Sequence, residues 1–427
     1  MSNSFSKEER VAFEDLLEGF HDALVLSRNV GVYNTDQTMM ARTNDIIWRP
    51  QPYIAQSIAS TPGTAIPGYQ DMTQLSVPAT IGFSRTVPWT MTSLDLRDAL
   101  QEGRLGDSAK QKLASDINLA IMNAAANLGS LVVDIGAAAG TYDDVALCDS
   151  IMNEQGVANY DRFLALSSRD YNGLAGNIAG AAAAATRSFG GNKSNTAFER
   201  SFVGMVAGFE TFKFDYANRL TGAAGGATLI DTQVGAGNFF VPAATSTALS
   251  GETQNVDNRF QTITVDNTVG VVAGDAFTIS GVEAVHHITK QGTGQPKTFR
   301  VVSVTNAHDM VITPPIISAQ GGSDAELQYQ NCIVTPAAAA PFTWLNVNTA
   351  AVNVFWQRDA LELLPGRYAV PSDAGTAVMR ATTDQGIEVV MQKFYDIDSM
   401  TIKYRLDTLF GVVNKQPEMS GILLFNQ

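Results

Sequence analysis

The residues that could do chemistry in this 427-residue chain are few: four histidines, two cysteines and carboxylates beside glycine-rich turns. Gly190-Gly-Asn-Lys-Ser194 has the composition of a phosphate loop, in which backbone N–H groups and a lysine cradle a nucleotide. It lacks the glycine–lysine pair and the first glycine four residues earlier, so it reads as a flexible turn. His286 and His287 are adjacent, which on a strand sends them to opposite faces and away from one metal ion. With His21 and His308 they read as solvated or structurally satisfied imidazoles. Cys148 and Cys332 are too distant in the chain for metal-ligand spacing and too few for a disulfide framework. Asp143-Asp144 would suit acid–base work, yet acidic residues in the first turn of a helix explain the pair. Asn192-Lys-Ser194 is a glycosylation sequon, which matters only in a secreted protein. No Gly-x-Ser-x-Gly, His-Glu-x-x-His or Cys-x-x-Cys pattern occurs. The expectation is a protein with no catalytic residue, cofactor or metal, and not an enzyme.

Composition narrows the class further. Apolar residues make up 45%, which excludes disorder, and no run of ~18 apolar residues could span a bilayer. Charged residues are 16%, against roughly 25% in an ordinary globular protein. Much of the surface is therefore neutral polar or hidden against other chains. With 28 basic and 42 acidic residues the net charge is −14, and no basic patch stands out. Strong affinity for nucleic-acid phosphates or anionic membranes is not expected. The N-terminus lacks the basic-then-apolar layout of a signal peptide, which points to synthesis and assembly in a reducing cytoplasm.

The elements follow from periodicity. Phe13, Leu16, Leu17, Phe20 and Leu24 form one stripe of an amphipathic helix within 1–30, opposite Lys7, Glu8, Arg10, Glu14, Glu18 and Asp22. Such a helix either packs on its own domain or docks on a neighbour. Residues 50–88 are broken by six prolines and three glycines and read as either an extended hairpin or a functional loop, with a returning strand at Ile81–Val87. A helix capped by Asp107 or Ser108 carries Leu113, Ile117, Ile121, Ala124, Leu128 and Leu131 on one stripe through Val132. Residues 136–220 look α/β: a helix at Tyr142–Met152, a buried strand at Arg162–Leu166 and a helix starting at Ser168. Between Gly222-Ala-Ala-Gly-Gly226 and Pro336-Ala-Ala-Ala-Ala-Pro341, short alternating strands at Phe260–Val265, Asp275–Ile279, Thr298–Val304 and Met310–Ile312 read as a small all-β barrel. The tail returns to sheet at Ile387–Met391 and Ser399–Asp407. It ends in the apolar strand Gly421–Phe425, which needs a partner.

Several blocks then resemble the P-22-type phage coat proteins. Asn255-Val-Asp-Asn-Arg-Phe260 and Gly274-Asp-Ala-Phe-Thr-Ile-Ser-Gly-Val282 resemble their inserted domain. Asn353-Val-Phe-Trp-Gln-Arg-Asp-Ala360 is similar to the segment that re-enters the core. Ile46-Ile-Trp-Arg-Pro50 resembles the entry to their extended loop, and Leu94-Asp-Leu-Arg-Asp98 with Asn127-Leu-Gly-Ser-Leu-Val132 resembles the spine-helix region. The resemblance implies an α+β, HK-97-like capsid fold. Its parts here would be an N-terminal arm at 1–30, an extended E-loop at 50–88 and an inserted β-barrel at 221–346. The peripheral domain would hold 31–49 and 89–135, with the spine helix, completed by part of 370–410. The axial domain would hold 136–220 and 347–427.

The resemblance also implies a function: a major capsid protein that self-assembles as hexamers and pentamers with a scaffolding protein and a portal. The icosahedral precursor shell would form in the host cytoplasm, expand as double-stranded DNA enters without sequence-specific binding, and end as the virion capsid, with no membrane partner. An encapsulin-like shell around protein cargo is the alternative. Candidate interface residues are Lys7, Arg10, Phe13, Leu17 and Phe20 on the arm, Arg85 in the loop and Glu252 in the insert. Around Thr245–Gln254 the family can carry an acidic contact loop, yet Glu252 is the one charge there. Between Pro50 and Pro88 there is no lysine, so an isopeptide bond through that loop is not expected, since a protonated guanidinium cannot replace the amine.

Overall fold

Ten consecutive residues, Phe83–Thr92, pair antiparallel with the strand Thr401–Asn414, in register from Phe83 on Phe410 to Thr92 on Thr401. The computed structural model that gives this register describes residues 4–33, 46–52, 55, 57, 61–65, 68–69, 71–101, 106–180, 200–201, 203–214, 218–225, 240–370 and 376–426. The Gly190–Ser194 turn and its sequon lie outside the described residues. By contacts the chain forms two units. The first comprises 1–47, 78–122 and 361–413, and the second 48–77, 123–360 and 414–427.

The first unit is built on a six-stranded sheet in the order Gly31–Val32, Leu361–Pro365, Thr401–Asn414, Glu388–Asp396, Ala377–Thr382, with Phe83–Thr92 joined to Thr401–Asn414. The helix Lys7–Ala23 buries Phe13, Leu16 and Phe20, and Leu24 just beyond it, as its stripe requires. Leu16 lies against the backbone at Gly106, where a Cβ would strike its side chain. Contacts place 361–413 with the arm and with 78–122. These strands bond to a partner sheet far back in the chain, which their own alternation does not reveal.

The long helix is Asp107–Leu128, with Leu113, Ile117 and Ile121 fully buried. It ends earlier than its apolar stripe suggests. Leu131 and Val132 belong to the strand Leu131–Ile135, not to the helix. The cause is the backbone of Gly129, which packs on that of Gly421 so closely that a Cβ would meet its amide nitrogen at 3.0 Å. Ser130 then turns its N–H to the carbonyl of Pro417 at 3.0 Å. A helix cannot continue through that bond.

The second unit contains two larger sheets. The seven-stranded one runs Leu131–Ile135, Ser420–Phe425, Ala350–Gln357, Arg162–Ser167, Phe209–Phe214, Met205–Val206, with Arg219–Leu220 added to Ala350–Gln357. Ser420–Phe425 is buried throughout and paired on both sides, parallel to Leu131–Ile135 and antiparallel to Ala350–Gln357. Its apolar run thus has the partners it needs. Helices Tyr142–Glu154 and Ser168–Gly180 bring Val145, Met152 and Leu174 onto Leu164, Phe209, Phe355 and Leu423 in one core.

The other sheet is the insert. Its strands order as Gln261–Thr264, Asp309–Thr313, Gly292–Val304, Ala276–Val285, Phe342–Trp344, all antiparallel. Phe277, Phe299 and Phe342 stack at centroid separations of 5.8 and 4.6 Å within a core that includes Val301, Ile312 and Cys332. Contacts do not separate 221–346 from the rest of the second unit.

Candidate functional site

The sequence places five candidate residues on the arm. Phe13 and Phe20 are buried within the first unit, Leu17 is half-buried, and Lys7 and Arg10 are exposed. The residue that anchors the helix is one the sequence reading passed over. Glu9 Oε2 accepts from the N–H of Ser6 at 2.8 Å while Ser6 Oγ accepts from the N–H of Glu9 at 3.2 Å, a reciprocal cap. Its other oxygen accepts from Lys393 Nζ at 2.6 Å and from the Tyr404 hydroxyl. Burial pushes the Glu9 carboxyl up, but the bonds from Lys393, Tyr404 and Ser6 outweigh it and hold the group below its ordinary value. Ser6-Lys-Glu-Glu9 was legible as a capping box; its partners some 390 residues away were not.

Arg85 is exposed on Phe83–Thr92, opposite Thr408, with its guanidinium 5.8 Å from the Phe83 ring. Glu252 is exposed beside the strand Thr253–Asn255, which forms a two-stranded hairpin with Thr245–Thr247. Leu249 is fully exposed at its tip. The structure gathers neither of these two with the arm residues into one site.

The second unit also holds the insert's four cations, Arg259, Lys290, Lys297 and Arg300. Each turns inward onto an oxygen. Arg259 Nη1 donates to the carbonyl of Asn414 at 2.8 Å and pairs with Asp257. Arg300 Nε donates to the Gly274 carbonyl at 2.9 Å and its Nη1 to Gly129 at 3.3 Å. Burial lowers this guanidinium to about 10, with Asp275 opposing the shift. Lys290 Nζ donates to the carbonyls of Gln328 and Gln330 at 2.7 and 3.3 Å. Lys297, 1% exposed, forms an ion pair with Glu418 and donates to Gln155 Oε1 at 3.2 Å.

His287 lies with Lys297 and Lys290 beside Glu418. Its Nε2 lies 3.3 Å from Glu418 Oε2 without hydrogen-bond geometry. Burial lowers the imidazole from 6.5 to about 4, with Glu418 opposing and Lys297, Lys290 and His286 reinforcing the shift. His286 instead accepts from the Thr289 N–H at 3.2 Å through Nδ1. Glu418 itself is pushed up by burial, yet Lys297 and His287 dominate and lower it. This is ion-pair chemistry that joins segments. Among the described residues no three His, Cys, Asp or Glu side chains converge as metal ligands, and no helix is long and apolar enough to cross a membrane. Cys148 and Cys332 are buried free thiols.

Asp143-Asp144 proves to be the start of a helix: Thr141 caps Tyr142–Glu154, and Asp144 Oδ2 accepts from the Thr141 N–H at 2.9 Å. The exposed candidate groups lie on an arm, a long strand and a hairpin, and the buried charges fasten segments together.

A family model described as "P22 coat protein - gene protein 5" matches residues 1–426. The chain therefore belongs to the P22 coat protein family; it has the HK97-like capsid fold and is a major capsid protein, self-assembling into the phage shell and located in the virion capsid. This favours the coat reading over a shell that encloses protein cargo. Solved structures similar to it include "Mycobacterium phage Che8", 10% identical over 94% of this chain and 91% of that one, with a TM-score of 0.43. "Capsid structure of the Cyanophage P-SCSP1u" is 9% identical over 95% and 88%, with a TM-score of 0.45. "CUS-3 coat protein I-domain" is 36% identical over 28% of this chain and 96% of that one, with a TM-score of 0.22.

Proposed function

We propose that the chain assembles with a scaffolding protein and around a portal, as hexamers and pentamers of an icosahedral precursor shell in the host cytoplasm. The shell then expands as double-stranded DNA enters. The observation that carries this reading is the unbroken family match over 1–426, which takes in the arm, the loop, the long helix and the insert alike. The arm at 1–30 presents Lys7 and Arg10 to the scaffold or an adjacent subunit while Phe13 and Phe20 hold it to its own body. The loop at 50–88 reaches a neighbour, and the insert at 221–346 is a module that folds by itself around its own aromatic core. A chain of net charge −14 does not trap the DNA it must release, because like charge keeps phosphates off the inner wall.

Co-expression with a scaffolding protein, followed by negative-stain microscopy, tests this. Closed, uniform precursor shells that lack nucleic acid are expected with the scaffold, and irregular products without it. Identical particles with and without the scaffold, or particles that enclose other proteins, would sink the reading.

A further inference from the structure

The helix Asp324–Tyr329 in the insert makes a run of contacts that no fold requirement explains. Its side chains bond to the backbone of residues 71–75, the returning limb of the extended loop. Asp324 Oδ2 accepts from the N–H of Asp71 at 2.9 Å. Gln328 uses both halves of its amide: Nε2 donates to the Asp71 carbonyl at 2.6 Å, and Oε1 accepts from the N–H of Thr73 at 3.2 Å. The Tyr329 hydroxyl donates to the Thr73 carbonyl at 3.0 Å and accepts from the N–H of Leu75 at 3.3 Å. Residues 71, 73 and 75 alternate as they do on one edge of a strand, where every second residue turns its N–H and C=O the same way. Three side chains of a helix thus stand in for a β-strand partner.

The limb is then tied at its base. Gln51 N–H donates to the Leu75 carbonyl at 2.9 Å, and Gln74 Nε2 donates to the Gln51 carbonyl at 2.8 Å. The clamp itself is held rigid. Ser323 caps its helix in a reciprocal box with Glu326. Lys290 Nζ fastens the other end through the carbonyls of Gln328 and Gln330. These five bonds all go to backbone atoms, so they specify register and extension through the main chain.

We propose that Asp324, Gln328 and Tyr329 are positioning residues that set the register of the loop's returning limb, so that the insert governs how the loop is presented to a neighbouring subunit. The second half rests on the reading that the loop engages a neighbour. One strand edge of residues 71–75 is occupied inside the subunit, which leaves the opposite edge for a partner chain.

The test uses the full-length chain. Hydrogen exchange is measured on unassembled subunits, and shell size by electron microscopy after assembly with scaffold. Gln328→Ala should speed exchange of the Thr73 and Leu75 amides about tenfold or more while Phe277 and Val301 in the insert core stay protected. The same variant should yield shells of mixed size or curvature. Thr73→Pro removes one donor from the loop side and leaves the insert untouched, so it should reproduce the Leu75 exchange and the shell defect even if Gln328→Ala folds poorly. Unchanged exchange in Thr73→Pro at Leu75 overturns the clamp, and faster exchange with normal shells overturns its control of assembly. A third variant lacking residues 61–65 separates the two ideas. If it assembles normally, the loop does not engage a neighbour, and the clamp is then judged on exchange alone.

Discussion

Two buried carboxylates tie distant segments together, and they do it differently. Glu9 in the first unit fastens the arm to strands Glu388–Asp396 and Thr401–Asn414 through Lys393 and Tyr404. Glu418 in the second fastens the insert to the chain end through Lys297, with His287 alongside. Glu9 is bonded on both oxygens and belongs to a local capping box, so part of its network forms as soon as the helix does. Glu418 draws its charged partner Lys297 from more than a hundred residues away, has only a 3.3 Å bond from Gln416 close by in the chain, and shares its burial with an imidazole. A carboxylate with a local cap survives the loss of one partner. One that balances a buried ammonium and a buried histidine does not.

The largest effect expected from breaking that contrast comes from Glu418→Ala. It leaves Lys297 charged and unpaired at 1% exposure, for which about 3–5 kcal/mol is the usual cost. Urea unfolding of the subunit should show it, and Lys297→Met combined with Glu418→Met should recover most of the loss because both charges go together. Equal losses in the single and double variants would mean that packing, not charge, dominates.

Acid should separate the two units next. The imidazole of His287 titrates at about 4 in the folded chain against 6.5 ordinarily, so between those values the unfolded chain binds more protons. Stability therefore falls as pH drops from 6.5 towards 4, by about 3 kcal/mol at the full shift. Glu9 and Glu418, both lowered, lose their contributions on acidification too, but from the carboxylate range downward. Melting temperatures measured down this range should fall less steeply in His287→Gln above pH 4.5. A slope identical to that of the unaltered chain would remove the histidine from the account.

Glu9→Ala comes third. It strips Lys393 and the Tyr404 hydroxyl of their shared acceptor, a loss of about 2 kcal/mol. The arm should become the first site of limited proteolysis while the seven-stranded sheet stays resistant; cleavage starting elsewhere would argue that the arm is held by its apolar stripe alone. The smallest change in stability belongs to Lys7→Glu with Arg10→Glu. As exposed charges they should alter unfolding by under about 0.5 kcal/mol. Yet scaffold-dependent assembly should weaken, and high salt should mimic the loss in the unaltered chain. Normal assembly by the double variant would count against a scaffold contact on the arm.

Periodicity made much of this legible. The stripe of Phe13, Leu16 and Phe20, the long helix, the βα alternation after it and four of the five strands of the insert's main sheet all follow from local spacing. What stayed hidden depends on distance in the chain. Phe342–Trp344 is too short to signal a strand. The helix Asp324–Tyr329 is six residues long, although Ser323-Asp-Ala-Glu326 is a capping box that local reading could have found. Leu131 matches a helical stripe and is a strand residue because Gly421 brings another backbone against Gly129. Cation counts marked the insert as acidic, but not that its cations point inward, since direction is decided by carbonyls at Gly129 and Asn414.

That inward turn has an outward consequence. With Arg259, Lys290, Lys297 and Arg300 all engaged on internal oxygens, the formal charges the insert leaves towards water are carboxylates, among them Asp266, Glu283, Asp309 and Glu252. Its skin is single-signed. Two such inserts brought face to face repel within a Debye length of about 8–10 Å at ordinary ionic strength. A counter-charge for Glu252 must come from another part of the shell, and multivalent cations in the medium will be drawn to this module's carboxylates.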